Sequence, residues 1–334
     1  MDMEKIKEYK YNLLGIMILS SIILTLPVFF GNQYLAINND TIAHLKVFEA
    51  IKIDNANFLY LGQRITGYEL VWLEKVTGIS LSELFMWFNF LALVIGGIVT
   101  MIVIEKITKS KVAGILSMFV ITFGTGAIMH LFWSGTIFNI IEMIILFPIT
   151  LLAIYLVSIK RNKRNIRNIL FLSLSIVALL IYHPTFGIQT ASTQQLAFAA
   201  IRSPITEQII EEQKELVMNI PFVIIGMIGG ANLTTLILSS WIIFKKKEVL
   251  ADSKIVLAIG SLIAIGIGIL AFSGITAFSS RITMNFAIIV NLITCLLAGL
   301  VLKNRQDNKV IKPIIISLLG IGIIPNLVSW IGKY

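Results

Sequence analysis

Apolar residues dominate long, nearly uninterrupted stretches of this chain, and charged residues are confined to the short segments between them. Each stretch has about 20 residues, enough for an α-helix rising about 1.5 Å per residue to cross ~30 Å of hydrocarbon. Nine such stretches are present, at residues 12–30, 84–104, 112–132, 136–158, 169–186, 219–244, 255–273, 282–302 and 311–331. The pattern predicts an all-α, polytopic membrane protein with about nine transmembrane helices.

The composition supports this class and excludes several others. Hydrophobic residues make up 57% of the chain and charged residues only 13%, against roughly 45–50% and about 25% in soluble domains. Disordered, coiled-coil, β-barrel and nucleic-acid-binding classes are excluded, despite a net charge of +9. The single cysteine, Cys295, lies within an apolar stretch, so no disulfide forms within the chain.

The distribution of basic residues predicts the orientation. Nineteen of the 27 lysines and arginines lie in five short segments that alternating spans would place on one side. Short loops rich in Lys and Arg stay in the cytoplasm. We therefore expect a cytoplasmic N-terminus and an outside C-terminus in the cell membrane. The whole chain, residues 1–334, is expected to be one transmembrane domain without a soluble domain.

Two long segments, residues 31–83 and 187–218, then lie on the outer side. Loops longer than ~12–15 residues are usually functional or disordered. In the second segment, Ser203 before Pro204 is typical of a helix start. It predicts an amphipathic helix that lies along the outer interface.

The first long segment contains start and stop signals for two short helices. Asp40 is placed to cap a helix over TIAHLKVFEAI, and a second helix fits residues 64–76 before Gly78. Ser80 and Glu83 have the spacing of a capping box at the start of the second span. We therefore predict a helical first outer loop that leads directly into a membrane helix.

The candidate functional residues lie at the outer ends of the predicted spans. All three histidines, His44, His130 and His183, fall on that side. Glu142 lies about two turns into the fourth span, and Arg281 precedes the eighth. Ionisable residues at membrane depth are costly and usually functional.

Asp40 and His44 form the sharpest pair. At positions i and i+4 they share one face of a helix. A carboxylate there can act as general base toward an acceptor hydroxyl, while the imidazole binds phosphate, a metal or the carboxylate itself. The structural alternative is that Asp40 only caps the helix and His44 is a surface residue.

Each of the other candidates also has a structural alternative. His130 could be the polar tip of a span, and His183, which precedes a proline, fits a helix end. Glu142 could pair with a polar group of a neighbouring span. Arg281 matches the bidentate geometry of a phosphate or anchors the chain at the interface. Arg64 could be a solvated loop charge, or it could bind a lipid phosphate.

Aromatic and glycine-rich positions complete the pattern. Trp72, Trp87 and Trp133 are expected in the interfacial belt. Two glycine-rich stretches, at 226–230 and 260–268, favour close helix packing over a phosphate loop, because no strand precedes them and no lysine follows.

The stretch NNDTIAHLKVFEAI, followed by NFLYLGQRITGYELVWLEKVTGISLSELF, resembles the first outer loop of the GT-C superfamily of membrane glycosyltransferases. In that family a short first span leads to an outer loop with an Asp, often followed four residues later by a His. A tyrosine-rich turn and a helix ending in T-G-hydrophobic-S then lead into the second span. Asp40, His44, Tyr60 and Thr77-Gly78-Ile79-Ser80 occupy those positions here. The segments HLFWSGTIFN, IYHPTF and FSSRITMNF are similar to the family more weakly.

The resemblance implies a GT-C-like fold and transfer of a sugar from a polyprenyl (dolichyl-type) phosphate to an acceptor on the outer face. It implies that Asp40 is the catalytic base and that a divalent cation, Mg²⁺ or Mn²⁺, is a candidate cofactor, with Asp40 and Glu142 as candidate ligands. The acceptor would be a glycan, a lipid or a protein.

The chain departs from oligosaccharyltransferases within that family. Residues 131–136 contain no acidic side chain, no Trp-Trp-Asp motif is present and no periplasmic domain follows. Two other functions are kept as alternatives. The chain could be a non-catalytic binding or assembly subunit of the same fold, or a transporter of a lipid-linked sugar, for which a discontinuous helix would be the mark.

Overall fold

The computed structural model describes residues 39–54, 61–124, 137–159, 165–182, 226–245, 254–273, 279–303 and 310–332. Within these ranges the regular structure is entirely helical, and no strand occurs in them. The helices are α1 (Asn39–Ile51), α2 (Leu61–Thr77), α3 (Leu81–Thr108), α4 (Lys111–Thr122), α5 (137–159), α6 (Asn165–Tyr182), α7 (Gly230–Lys245), α8 (Lys254–Ser273), α9 (Ser279–Lys303) and α10 (Ile311–Gly332). The all-α prediction is therefore confirmed for the described part of the chain.

Eight of the nine predicted membrane segments overlap helices α3 to α10. The first predicted span, residues 12–30, and the long segment 187–218 lie outside the described residues. In the described ranges, three helical stretches are long and apolar enough to cross a membrane: Leu81–Thr108, Ile141–Ile159 and Met284–Lys303. These three stretches support the assignment of the chain to the class of membrane proteins.

Helix α3 is central to the packing. It contacts α1, α2, α4, α5 and α9, and its buried side contributes Phe85, Leu93 and Ile104 to the main apolar core. The opposite side exposes Trp87, Leu91, Ile95 and Ile102. A helix that exposes an apolar stripe beside a packed core is typical of a lipid-facing span, because lipid tails are as apolar as the core.

The start of α3 confirms Ser80 as the helix cap, while the bond of the Glu83 side chain is to the Ser80 hydroxyl and not to the Ser80 backbone N–H that a full capping box uses. The Ser80 hydroxyl accepts a bond from the Glu83 amide at 3.4 Å and donates to the Glu83 carboxylate at 3.0 Å. Helix α2 ends just before it, where Gly78 adopts a positive φ of 72° that favours glycine.

Helix α5 contains a six-residue π-helical segment, Ile141–Leu146. The Phe147 amide bonds to the Glu142 carbonyl, and Pro148 has no amide hydrogen to donate to the carbonyl of Ile144. That carbonyl instead accepts the Thr100 hydroxyl of α3 at 3.3 Å. The neighbouring helix thus satisfies the carbonyl that the proline leaves without its helical partner, as buried backbone at membrane depth requires.

The glycine-rich stretch at 226–230 does not have the predicted role. A Cβ added at Gly226 or Gly230 would meet nothing within 4 Å, so the prediction of close helix packing is wrong at these two glycines. Gly229 instead has a positive φ of 86° and separates a short helical turn at 226–228 from α7. The backbone turn, rather than packing, is what requires glycine at this position.

Candidate functional site

Helix α1 carries the predicted Asp40–His44 pair. The helix already includes Asn39 and Asp40, so Asp40 lies in its first described turn and the predicted capping position is wrong. The two residues still stand one turn apart on the same side of the helix. The Asp40 side chain lies outside the described residues.

His44 is part of the protein core. Its side chain is only 7% exposed, so the alternative that it is a surface residue is wrong. Its ring stacks on Phe48 at 6.1 Å between centroids and lies 6.0 Å from the ring of Phe85. It also meets the edge of Phe138 at 5.1 Å. Helices α1, α3 and α5 therefore meet around this imidazole.

Gln63 is the polar neighbour of His44 that the sequence analysis missed. Its Nε2 atom lies 2.8 Å from Nδ1 of His44, and its side chain is buried. Because an amide nitrogen only donates, Nδ1 of His44 must be the acceptor of this bond. The available signal was a glutamine on the face of α2 that also carries Thr66 and Leu70, all of them buried.

The first turns of α2 also contact the end of α6. A Cβ on Gly62 would lie 2.9 Å from Cδ1 of Tyr182 and 3.2 Å from its Cα, so only glycine permits this approach. On the next turn, a Cβ added to Gly67 would lie 2.7 Å from Cδ1 of Phe48 in α1. The end of α6, one residue before His183, thus lies against the same helix that binds His44. His183 itself is outside the described part.

A charged cluster fixes α1 and α2 to the start of α3. Lys52 Nζ lies 2.8 Å from Glu49 and 2.7 Å from Glu74. The Glu74 carboxylate also accepts the Leu81 amide, the first of α3, at 3.3 Å. Hydrogen bonds from Lys52 to Glu49 and then Glu74 raise the pKa of this lysine above its ordinary value.

Glu142 lies close to the same region, on the π-helical segment of α5. It is fully buried, one turn after Phe138, whose ring contacts His44. Among the described residues, no three His, Cys, Asp or Glu side chains are grouped as metal ligands.

The described part of the structure does not place the remaining predicted site residues next to His44. Arg64 follows Gln63 on α2, but it is exposed and lies 6.0 Å from the centre of the Tyr68 ring. Arg281 lies in the first turn of α9, and its side chain is outside the described residues, as is the whole of His130.

The chain matches no protein-family model, no curated protein and no solved structure.

Proposed function

We propose that this chain is a membrane glycosyltransferase that uses a polyprenyl-phosphate sugar as donor. The observation that supports the proposal is the way in which contacts of His44 hold α1 in the core. Asp40 stands one turn from a histidine that is bonded to Gln63 and enclosed by three phenylalanine rings. A base on a rigidly held helix has the fixed position that proton transfer requires.

In the proposed mechanism Asp40 removes the proton from the acceptor hydroxyl. The hydroxyl oxygen then attacks the anomeric carbon from the face opposite the lipid phosphate, so that the configuration inverts. The bond from the anomeric carbon to the phosphate oxygen breaks, and the negative charge passes to the polyprenyl phosphate. Arg281, with His44 or His183, stabilises that charge.

The proposed architecture is a GT-C-like bundle of nine spans in the cell membrane, with a cytoplasmic N-terminus and the site on the outer face. The three long apolar helices and the two short helices before α3 support it. A lipid-bound donor accounts for a site beside a membrane helix rather than in a soluble nucleotide-binding domain.

The substitution Asp40→Asn tests this function. Asparagine keeps the size of the side chain but cannot accept a proton as a base. We expect the purified variant to bind a polyprenyl phosphate normally and to transfer sugar at least about a hundredfold more slowly. Transfer is measured with a panel of polyprenyl-phosphate sugars.

Glu69→Gln is the matched control, because it exchanges an exposed carboxylate for an amide on the neighbouring helix α2 and should leave the rate near that of the wild type. Unchanged turnover in Asp40→Asn would remove Asp40 as the base. No transfer by the wild-type protein with any donor would favour the non-catalytic binding subunit.

A lipid-linked-sugar transporter is the second candidate, and the break at Gly229 favours it. Discontinuous helices are a feature of transporter binding sites, and Gly229 interrupts the helix before α7. Movement of a labelled polyprenyl-phosphate sugar across vesicles containing the wild-type protein, without transfer to any acceptor, would support this function instead.

A further inference from the structure

Helix α2 has two contrasting faces. The buried face packs on α1, α3 and α6 through Gly62, Gln63, Thr66, Gly67 and Leu70. The opposite face has large side chains and no helix covering it among the described residues: Tyr68 is 46% exposed, Trp72 62% and Val76 63%. In a soluble protein such a row of apolar side chains would be unusual on a single short helix.

Charged residues border this row in an ordered way. Arg64 and Lys75 lie at nearly the same angle around α2, because their separation is close to three helical turns. Tyr68 and Trp72 follow on one side of them. Glu69 lies at the opposite margin, beyond Val76. The face thus has a basic edge, an aromatic centre and an aliphatic side.

We propose that this face of α2 rests on the membrane surface and binds anionic phospholipid headgroups. Tyr and Trp are enriched at the membrane interface, since their rings are apolar and their polar tips reach water. The cations at the basic edge are complementary to lipid phosphates. A short amphipathic helix of this composition is typical of one lying in the plane of the interface.

The connection to α3 supports a lipid surface over bulk water. From Thr77 to Leu81 the chain makes four Cα steps, which span at most about 14 Å. Trp87 of α3, which begins the exposed stripe of that helix, lies only about 9 Å along its axis from Leu81. Val76, in the last turn of α2, and Ile79, in the connection, are exposed and lie a short chain distance from the start of the exposed apolar stripe of α3.

This contact would also set the depth of the candidate site. The same helix that presents Trp72 outwards carries Gln63 on its buried side to His44. A helix is about 10 Å across. Binding of α2 to the headgroups would hold His44 within about one helix diameter of the lipid surface. The proposal does not depend on catalysis, and its test needs no substrate.

The experiment uses the full chain in vesicles with Trp72 as the one tryptophan, the other four, Trp87, Trp133, Trp241 and Trp330, being replaced by Phe. We expect blue-shifted Trp72 emission, little quenching by aqueous iodide, and strong quenching by lipids brominated near the headgroup. A second protein that keeps only Trp87 should be quenched more strongly by lipids brominated deeper in the chain. Circular dichroism and detergent-solubilised gel filtration verify that both proteins fold.

The second arm tests the headgroup charge. Two vesicle mixtures of the same composition are compared, one in which only the anionic lipid is brominated and one in which only the zwitterionic lipid is brominated. The first mixture should quench Trp72 more strongly than the second. In the double variant Arg64→Gln/Lys75→Gln, the quenching of Trp72 should be equal in the two mixtures. Lys46→Gln, which removes an exposed cation from α1, should leave the preference as in the parent.

Two results would overturn the proposal. Iodide quenching of Trp72 without bromolipid quenching would place the face in water or against a protein partner. Equal quenching in both lipid mixtures before any charge is removed would show that the face contacts lipid without preference for anionic headgroups.

Discussion

The bond between Gln63 and His44 decides which nitrogen of the imidazole carries a proton. Nδ1 accepts from the Gln63 amide at 2.8 Å, so a neutral His44 is protonated at Nε2. In this tautomer Nε2 is the donor nitrogen of the ring and Nδ1 is the acceptor. Because Nδ1 of His44 already accepts from Gln63, Asp40 rather than His44 is the base in the proposed reaction.

We predict that histidine-selective ¹⁵N NMR, recorded above the usual titration range of imidazole, shows His44 as the Nε2-protonated tautomer. The chain has only three histidines, and His44→Gln identifies the signal. In Gln63→Leu the donor to Nδ1 is lost, so the His44 signal should move toward the values of an averaged imidazole.

Thr66→Val is the control for this measurement, because it alters the same buried face of α2 without removing the donor. The His44 signal should stay in place. An Nδ1-protonated His44 in the wild-type protein would mean that the Gln63 carbonyl faces the ring, and the assignment of His44 as an Nε2 donor would be wrong.

The sequence was sufficient for the local part of this arrangement and insufficient for the rest. Asp40 and His44 share a face because helix geometry alone relates positions i and i+4. The contact with Gln63 joins residues 19 positions apart and depends on how α1 and α2 fold against each other. The Phe138 ring comes from a third helix, and no local pattern relates it to His44.

One carboxylate, that of Glu74, links α1 and α2 to the start of α3. Glu74 accepts bonds from Lys52, at the end of α1, and from the Leu81 amide, at the start of α3. An acidic group at a helix start is also favourable for the helix dipole. Lys52 is about one third exposed, so its ion pairs are screened and contribute little energy each.

We predict that Glu74→Gln lowers the free energy of unfolding by no more than ~1 kcal/mol, since exposed ion pairs are worth about that much. The pKa of Lys52 is raised in the folded state. Its ion pairs therefore stabilise the fold at neutral pH, below the ordinary lysine pKa, and this contribution is lost as the pH rises through the raised value. The difference between wild type and Glu74→Gln should shrink only in strongly alkaline solution.

Denaturation in mild detergent, followed over pH by circular dichroism, measures this difference. Glu69→Gln is the matched control, since Glu69 is an exposed carboxylate on the same helix without an ion pair to Lys52. A constant difference between wild type and Glu74→Gln across the alkaline range would contradict the role of the Lys52 charge.

Helix ends followed from the sequence where a cap marks them, as at Ser80 and Gly78. The two irregular backbone segments, the π-helical turn in α5 and the interruption at Gly229, could not be predicted from the sequence. The π-helical turn before Pro148 is accompanied by a bond from Thr100 of another helix to the Ile144 carbonyl, a contact that no local pattern predicts. The interruption at Gly229 was mistaken for a packing site, because glycine serves close approach and positive φ equally well.

The arrangement of the bundle has a different basis from the identity of its helices. Apolar stretches fix where helices form, because each can satisfy its own backbone in lipid. Which helices touch depends on side-chain fit, such as the burial of Thr100 and Ile144 between α3 and α5. Orientation depends on neither, and it rests on the basic residues of the short segments.

The orientation gives the last prediction, a cysteine-labelling experiment on intact cells. Cys295, the one natural cysteine, is buried in the core and should give little background. Ser82→Cys, at the start of α3, should react with an impermeant thiol reagent, because the first loop is expected outside. Arg167→Cys, exposed at the start of α6, should react only after the membrane is opened, because basic segments stay in the cytoplasm. The opposite labelling would reverse the bundle and place Asp40, His44 and α2 on the cytoplasmic face, where the proposed transfer to an outer acceptor could not occur.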